Sequence, residues 1–490
     1  VLRTVRKFFY EQRSGRTAKR TNNDKRSDRI TNNALKVFKG EVMIPDINAL
    51  KHDLNDVEQA VADAIKYAEK LGVSSAECAM SRSSGINVGT RLGEVETVEF
   101  NQDGALGITV FRGQQKGSSS TTDLTAKAIR AAVEKANDIA RFTSPDPFAG
   151  LAPAELMATD IPDLDLCHPA DQSAEFALEQ ALACEQHALQ LDPRIVNSDG
   201  AGYSSHVGYR VYGNSHGFVA GYLQSRHSLS CSLIAKSGDA MQRDYSYSVA
   251  RKREDLWTPE QVAKDAVEAT VARLDGQKIA TAKVPVIFRA DVANSLFGHL
   301  VAGISGGSLY RKSSFLVDHL GKQVLPEWLT ITERPHLRGA LASSPFDHEG
   351  LATQEREIIR DGVLQTYLLT SYSARKLGMS PTGHAGGIHT WEVGSQVPDL
   401  QALCRQMGTG LLVTELMGQG VNIVNGDYSR GAAGFWVENG EIKYPVEEIT
   451  IAGNLKDMLR NIVAIAGDVD LRHGVRTGSV LLEEMRIAGV

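Results

Sequence analysis

Residues 86–113 read INVGTRLGEVETVEFNQDGALGITVFRG. Short apolar runs alternate with polar positions and break at Gly93 and at Asp103-Gly104, residue types that close tight hairpins. The pattern predicts an antiparallel meander. A helix precedes it, because Val57, Val61, Ala64, Ile65, Ala68 and Leu71 recur at helical spacing and Gly72 supplies the stop. A second helix, from about Asp123 to Ala140, closes the unit. Helices combined with antiparallel strands define the fold class as α+β.

Working outward, residues 144–169 carry five of the fifteen prolines, Pro145, Pro147, Pro153, Pro162 and Pro169. That density excludes helix and central strand and predicts a linker. The next block opens with a helix near Ala174–Leu191 and continues in the strands VGYRVYG, GFVAGYLQS, HSLSCSLIA and DYSYSVAR. Gly213, Asn214, Gly217 and Gly238 are its turn residues. Thr258 and Gln261 form a capping box around Pro259 and start the helix that ends the block, with Val267, Val271 and Leu274 as its buried stripe. From the strand Val284–Phe288 onward the chain enters a helix and then becomes Gly-rich and strand-like. A chain of 490 residues is too long for one ordinary core. The expected division is a basic extension (1–42), an N-terminal α+β domain (43–143), the Pro-rich linker (144–169), a middle α+β domain (170–280) and a β-rich C-terminal domain (281–490).

The net charge of −6 conceals an asymmetry: the first forty residues hold twelve Lys or Arg against Glu11, Asp24 and Asp28, which leaves −15 for the rest. An acidic body without interleaved basic and aromatic positions argues against nucleic-acid binding. No apolar run approaches the roughly 18 residues of a membrane span. The five cysteines are scattered and never spaced as C-x-x-C, so free thiols in the reducing cytoplasm are expected.

Several motifs invite a chemical reading. Gly303-Ile304-Ser305-Gly306-Gly307 satisfies G-x-S-x-G, but a nucleophile elbow needs the serine between a strand and a helix, and here it follows a helical segment. His348-Glu349 is half of a zinc helix H-E-x-x-H whose second histidine position is Ala352, so a solvated loop is expected. His384 and His389 stand five apart with two glycines between, which points to a hydrogen-bonded structural role. The glycines of GTGLLVTELMGQG and GAAGFWVENGEI lack the strand-to-helix context of a phosphate loop.

The stretches EVETVEFNQDGALGITVFRGQQKGSSSTTDL, GNSHGF, GHLVAGISGGSLYRKSSFL, LTSYSARKLG, TGHAGGIH, VTELMGQGVN and GDYSRGAAGFWVENGEIKYPVEEITIAGNLKDM closely resemble the TldD/PmbA family, in its PmbA (TldE) branch. The match runs in order from about Asp56 to Gly489. The resemblance implies a cytoplasmic, zinc-dependent metalloprotease built from a TldD-type and a PmbA-type chain around a cavity, cleaving unfolded or leader-bearing polypeptides. The TldD-type chain is understood to hold zinc through H-E-x-x-x-H and a later Cys-Gly cysteine. Aligned on Arg311-Lys312, both histidine positions fall on Gly298 and Gly303, the glutamate on His299 and the cysteine on Thr477. No catalytic residue, zinc or other cofactor is therefore expected in this chain, and the metal belongs to the TldD-type partner. Substrate-cleft candidates are His299, Tyr310, Arg311, Tyr428 and Arg430. Two alternatives remain: a homodimeric metallopeptidase using His384 and His389, and a non-enzymatic regulator of DNA gyrase or of toxin–antitoxin proteins.

The basic extension reads as a transit peptide, a nucleic-acid arm or upstream sequence foreign to the native protein. Met43 opens MIPDINALKHDLNDVEQ just before the first helix and favours the last. Mass spectrometry of the natural N-terminus is expected to find a start at Met43, and a mature chain beginning near Val1 refutes it.

Overall fold

The computed structural model describes residues 46–170 and 173–489; the basic extension 1–42 lies outside them. Helix α1 (Ile47–Lys70) starts at Asp46, whose carboxylate accepts the amides of Asn48 and Ala49, and it buries Val57, Val61, Ala64, Ile65 and Ala68. Strands β1 (Ser75–Arg91), β2 (Glu94–Arg112) and β3 (Gln115–Thr121) follow, then α2 (Ala126–Phe142), capped by Thr125. The turn expected at Gly93 is present, since Arg91 pairs with Glu94. The one expected at Asp103-Gly104 is not: β2 runs through it, pairing Ser83 with Asp103 and Arg82 with Gly104. A Cβ on Gly104 would come 3.0 Å from the Ser81 carbonyl, so this glycine serves close strand approach.

Beyond the Pro-rich segment come α3 (Ala174–Leu191), β4 (Ile195–Asn214), β5 (Val219–Ser237), β6 (Ala240–Ala250) and α4 (Pro259–Ala272). GFVAGYLQS and HSLSCSLIA are one strand, β5. Helix α4 starts at Thr258, whose hydroxyl accepts the Gln261 amide at 3.3 Å, but the expected capping box is only half formed, since the Gln261 side chain donates forward to Asp265 at 2.7 Å. β1 pairs with β4 from Glu77–Asn214 to Thr90–Ala201, which fuses the first two blocks into one six-stranded antiparallel sheet, β3-β2-β1-β4-β5-β6. Cys78 and Met80 of β1 enter the core under α1 and α2, and Ile86 and Val88 enter the core under α3 and α4. Their shared parity places all four helices on one face of the sheet.

The third block begins with β7 (Ala282–Phe288), α5 (Ala290–Ile304) and α6 (Gly306–Tyr310). Short strands β8 (Ile331–Glu333), β9 (Arg356–Arg360) and β10 (Val363–Leu364) precede α7 (Ser371–Leu377), β11 (Trp391–Val393) and α8 (Leu400–Met407). The chain ends with β12 (Gly410–Met417), β13 (Asp427–Glu438), β14 (Glu441–Asn454), α9 (Leu455–Arg460), β15 (Ile462–Ile465), β16 (Val475–Arg476) and β17 (Val480–Ala488). A six-stranded sheet runs β14-β13-β12-β7-β17-β15, and the added β14–β17 pairing closes five of those strands into a ring. The smaller sheet is β10-β9-β8-β11-β16. Phe297, Leu300 and Ile304 of α5 lie in the largest core with Val286, Phe288, Leu411 and Val413. The mixture of helices and antiparallel sheets, richest in strand toward the C-terminus, is the expected α+β class.

Residues 144–169 carry no regular element beyond the single 3-10 turn Ala154–Leu156, as their prolines require, yet they are firmly held. Arg375 of α7 donates to the carbonyls of Phe148 at 2.9 Å, Gly150 at 3.1 Å and Leu151. Tyr372 donates to Asp146 at 2.8 Å, and the Lys376 ammonium lies 4.1 Å from the Phe148 ring centroid. Phe346 meets Phe218 and Tyr222 edge-on, with ring centroids at 5.4 and 5.5 Å. All five cysteines are free thiols. Among the described residues no helix is long and apolar enough to cross a membrane.

Arg375→Ala removes three carbonyl contacts at once and is expected to cost about 2–3 kcal/mol in urea denaturation. Proteolysis inside 144–169 should accelerate with it. Unchanged stability and cleavage would show that the strap adds nothing.

Candidate functional site

Helix α5 leaves β7 after one connecting residue and is tied at once to the last strand. The Ser479 hydroxyl accepts the Ala290 amide at 3.0 Å and donates to Asp468 at 2.7 Å. The helix continues through Gly303 and breaks only at Ser305, whose backbone is extended. Ser305 then bridges to Leu368, and α6 resumes at Gly306. The serine thus sits between two helices and lacks the geometry of a nucleophile elbow.

The zinc-motif positions are physically unlike one another. Gly298 is exposed, and a Cβ built there finds nothing within 4 Å. Gly303 is buried, and its Cβ would lie 3.0 Å from Phe315 and 3.1 Å from Leu316. Residues five apart on a regular helix diverge by about 140°, which accounts for one facing out and the other inward. Thr477 follows β16, is wholly buried and donates to the Gly478 carbonyl at 3.0 Å. Among the described residues no group of three or more His, Cys, Asp or Glu is placed to hold a metal. The side chains present do not fit the zinc set that the resemblance implies.

The five cleft candidates fall into two clusters. His299 meets Tyr428 of β13 edge-on, ring centroids 5.9 Å apart at 73°. Arg430, two residues along, shares the Tyr428 face of the strand and donates to the Leu416 carbonyl at 3.3 Å. Burial, and then the positive charge of Arg430, hold the His299 pKa below the ordinary imidazole value. Burial pushes the Tyr428 phenol up to about 12. Imidazole and phenol are both uncharged at neutral pH. Tyr310 and Arg311 belong elsewhere: the Tyr310 ring meets Tyr372 at 5.9 Å, and the Arg311 guanidinium lies 5.1 Å from the Tyr310 ring. Phe148, Tyr372 and Lys376 complete that second cluster. They were not singled out because the chain brings them together only through the docking of residues 144–151 on α7.

His384 and His389 converge on a carboxylate that sequence inspection missed. Glu333, 1% exposed, accepts from His384 Nε2 at 2.8 Å, the His389 amide at 2.9 Å and Trp391 Nε1 at 3.1 Å. Burial raises its pKa, but hydrogen bonding and the charge of His384 outweigh that, and the net shift is downward. The second ring nitrogen of His384 is engaged by Thr382 at 2.8 Å, and His389 Nε2 contacts the Gly383 carbonyl at 3.1 Å. This hydrogen-bonded arrangement matches the expected structural role. The loop at His348-Glu349 is not the solvated one expected. His348 is exposed, but Asp347 is buried, with its carboxylate accepting the Glu349, Leu351 and Ala385 amides. Glu349 accepts the Ser371 amide at 2.9 Å and so caps α7. Both acids are absorbed by backbone donors, which single residues in a loop sequence do not reveal.

Three consecutive family models match this chain: PmbA/TldA metallopeptidase domain 1 over residues 76–140, the central domain over 167–274 and the C-terminal domain over 281–489. The chain belongs to the PmbA/TldA metallopeptidase family, on its PmbA/TldE side. The Metalloprotease PmbA homolog of Haemophilus influenzae is 58% identical over 441 residues, 90% of this chain and 98% of that protein. Metalloprotease PmbA of Escherichia coli O157:H7 is 58% identical over 88% of this chain and 96% of its own length. Against the Haemophilus influenzae Metalloprotease TldD homolog, identity falls to 23% over 78% and 83% of the two chains. A Bacteroides thetaiotaomicron crystal structure, described as a candidate modulator of DNA gyrase, superposes with TM-score 0.84 at 27% identity and covers 89% of this chain and 99% of that one. TldE from Thermococcus kodakarensis shares the fold, with TM-score 0.78 at 21% identity over 88% and 100% of the chains.

The two glycine positions predict opposite responses. Gly298→Ala fills open space on a helix and is expected to stabilise by about 0.5–1 kcal/mol. Gly303→His must displace Phe315 and Leu316 and is expected to cost about 1–3 kcal/mol. Thermal denaturation of both variants checks the pair; equal midpoints would contradict the inward placement of Gly303.

Proposed function

We propose that this chain is the PmbA/TldE-type subunit of a TldD/PmbA peptidase, and that hydrolysis of unfolded or leader-bearing polypeptides takes place on a TldD-type partner that holds the zinc. The observation that carries this reading is α5: the helix is intact, yet its motif positions carry Gly298, His299 and Gly303, with Gly303 packed against Phe315 and Leu316. A side chain at 303 has no path to a shared metal, and Thr477 supplies no thiolate where the later ligand is expected. Kinship to PmbA metalloproteases at 58% identity supports membership of the proteolytic system, and the residue chemistry supports a non-catalytic role within it. Free, mostly buried thiols accord with the cytoplasm. The contribution of this chain is to wall the cavity and to present strand edges to an extended peptide, the mode in which main-chain pairing supplies affinity.

Co-expression with a TldD-type chain from the same organism is expected to yield a stable complex whose peptidase activity needs both subunits, with this chain alone inactive. Equal activity without this chain removes the proposed role. Zinc-dependent activity of this chain alone, lost on changing His384 or His389, would favour the homodimeric enzyme. Capture of gyrase in the absence of any TldD-type protein would favour the regulator.

A further inference from the structure

Eleven buried side-chain nitrogen or oxygen atoms among the described residues have no hydrogen-bond partner, and three of them belong to one cluster: His299 Nε2, Tyr428 OH and Arg430 Nε. Tyr428 is only 1% exposed. A buried polar group that has given up water without gaining a partner is costly, and native folds keep few of them. Three together, on side chains from two separate elements, mark a place prepared for something else.

The donor set says what that is. Arg430 is a permanent cation that can only donate, and it makes no ion pair among the described residues. Tyr428, a protonated phenol whose oxygen faces the Arg430 guanidinium, keeps one O–H to donate. His299 is an uncharged imidazole that donates whenever its proton is on Nε2. Two fixed donors and one adaptable donor, carrying a single net positive charge, match an acceptor bearing one negative charge. A carboxylate has two oxygens and the planar geometry that a guanidinium pairs with best. Gly298, the residue before His299, is exposed, with no atom within 4 Å of its missing Cβ.

We infer that His299, Tyr428 and Arg430 form a receptor for a peptide carboxylate, either the C-terminus or an acidic side chain of an extended polypeptide. The choice of a peptide as the source of the carboxylate rests on the subunit reading; the carboxylate preference itself does not.

The test is calorimetric titration of the purified full chain, without any TldD-type protein, against three versions of one uncharged peptide. One has a free C-terminus, one is amidated, and one is amidated with a single internal aspartate. At least one carboxylate-bearing version is expected to bind about tenfold or more tightly than the neutral amide, and which one does so identifies the source. Arg430→Gln should abolish that advantage and Tyr428→Phe should reduce it severalfold. Equal affinities for all three, absence of binding, or an advantage unchanged in both variants overturns the inference. Tyr428→Phe also guards against a folding artefact. It removes an unpartnered hydroxyl and keeps the ring, so the melting temperature of the free variant should hold or rise. A clear fall would mean the hydroxyl serves the fold, against the proposal. Because the partner chain is absent throughout, failure here leaves the subunit reading standing, and failure of that reading leaves the preference measurable.

Discussion

The antiparallel ladder between β1 and β4 sets the shape of everything N-terminal to β7. Its pairs from Glu77–Asn214 to Thr90–Ala201 join segments separated by two helices and the Pro-rich stretch. Because side chains alternate along a strand, one register decides which residues face the helices at both ends of the sheet. Cys78 and Met80 point under α1 and α2 while Ile86 and Val88 point under α3 and α4. A one-residue slip would turn all four to the opposite face and empty two cores at once. The ladder also fixes where β5 lies, and so where Phe346 and the Asp347 loop of the third block can dock.

Local features were readable in the sequence wherever a local rule governs them. Helix α1 followed from apolar spacing, the start of α4 from Thr258 as its cap, and the Gly93 turn from its residue type. Asp103-Gly104 misled because a strand glycine and a turn glycine look alike in sequence, and the distinction lies in a neighbouring strand 3.0 Å away. The Pro-rich segment was rightly irregular, but irregular backbone is not free backbone: Arg375, more than two hundred residues further on, satisfies its carbonyls. Long-range satisfaction of this kind has no sequence signature.

The same division applies at the site. That Gly298, His299, Gly303 and Thr477 are not a zinc set could be read from residue types through the family resemblance. That Gly303 is closed by Phe315 and Leu316 while Gly298 stands open needed the helix in place. The difference matters energetically. An absent ligand could be restored by one substitution, whereas a position filled by two core side chains resists restoration, since overpacking has its own cost. Under the alignment that the resemblance implies, Phe315 and Leu316 close one of the two histidine positions.

The two histidine clusters of the third block show how burial divides structural from functional polar groups. Around Glu333 the buried carboxylate is well supplied: His384, the His389 amide and Trp391 all donate to it, and Arg356 Nε, itself without a hydrogen bond, lies 4.0 Å away. Such a network rigidifies the small sheet and leaves no valence for a ligand. Around His299, which is less buried than His384 and His389, the acceptor is missing, and His299 Nε2, Tyr428 OH and Arg430 Nε are left without partners. A fold that gives one buried carboxylate three donors and leaves three donor atoms around His299 without an acceptor differs between the two places in a way that packing alone does not require. The shortfall has a sign and a size, and a carboxylate matches both.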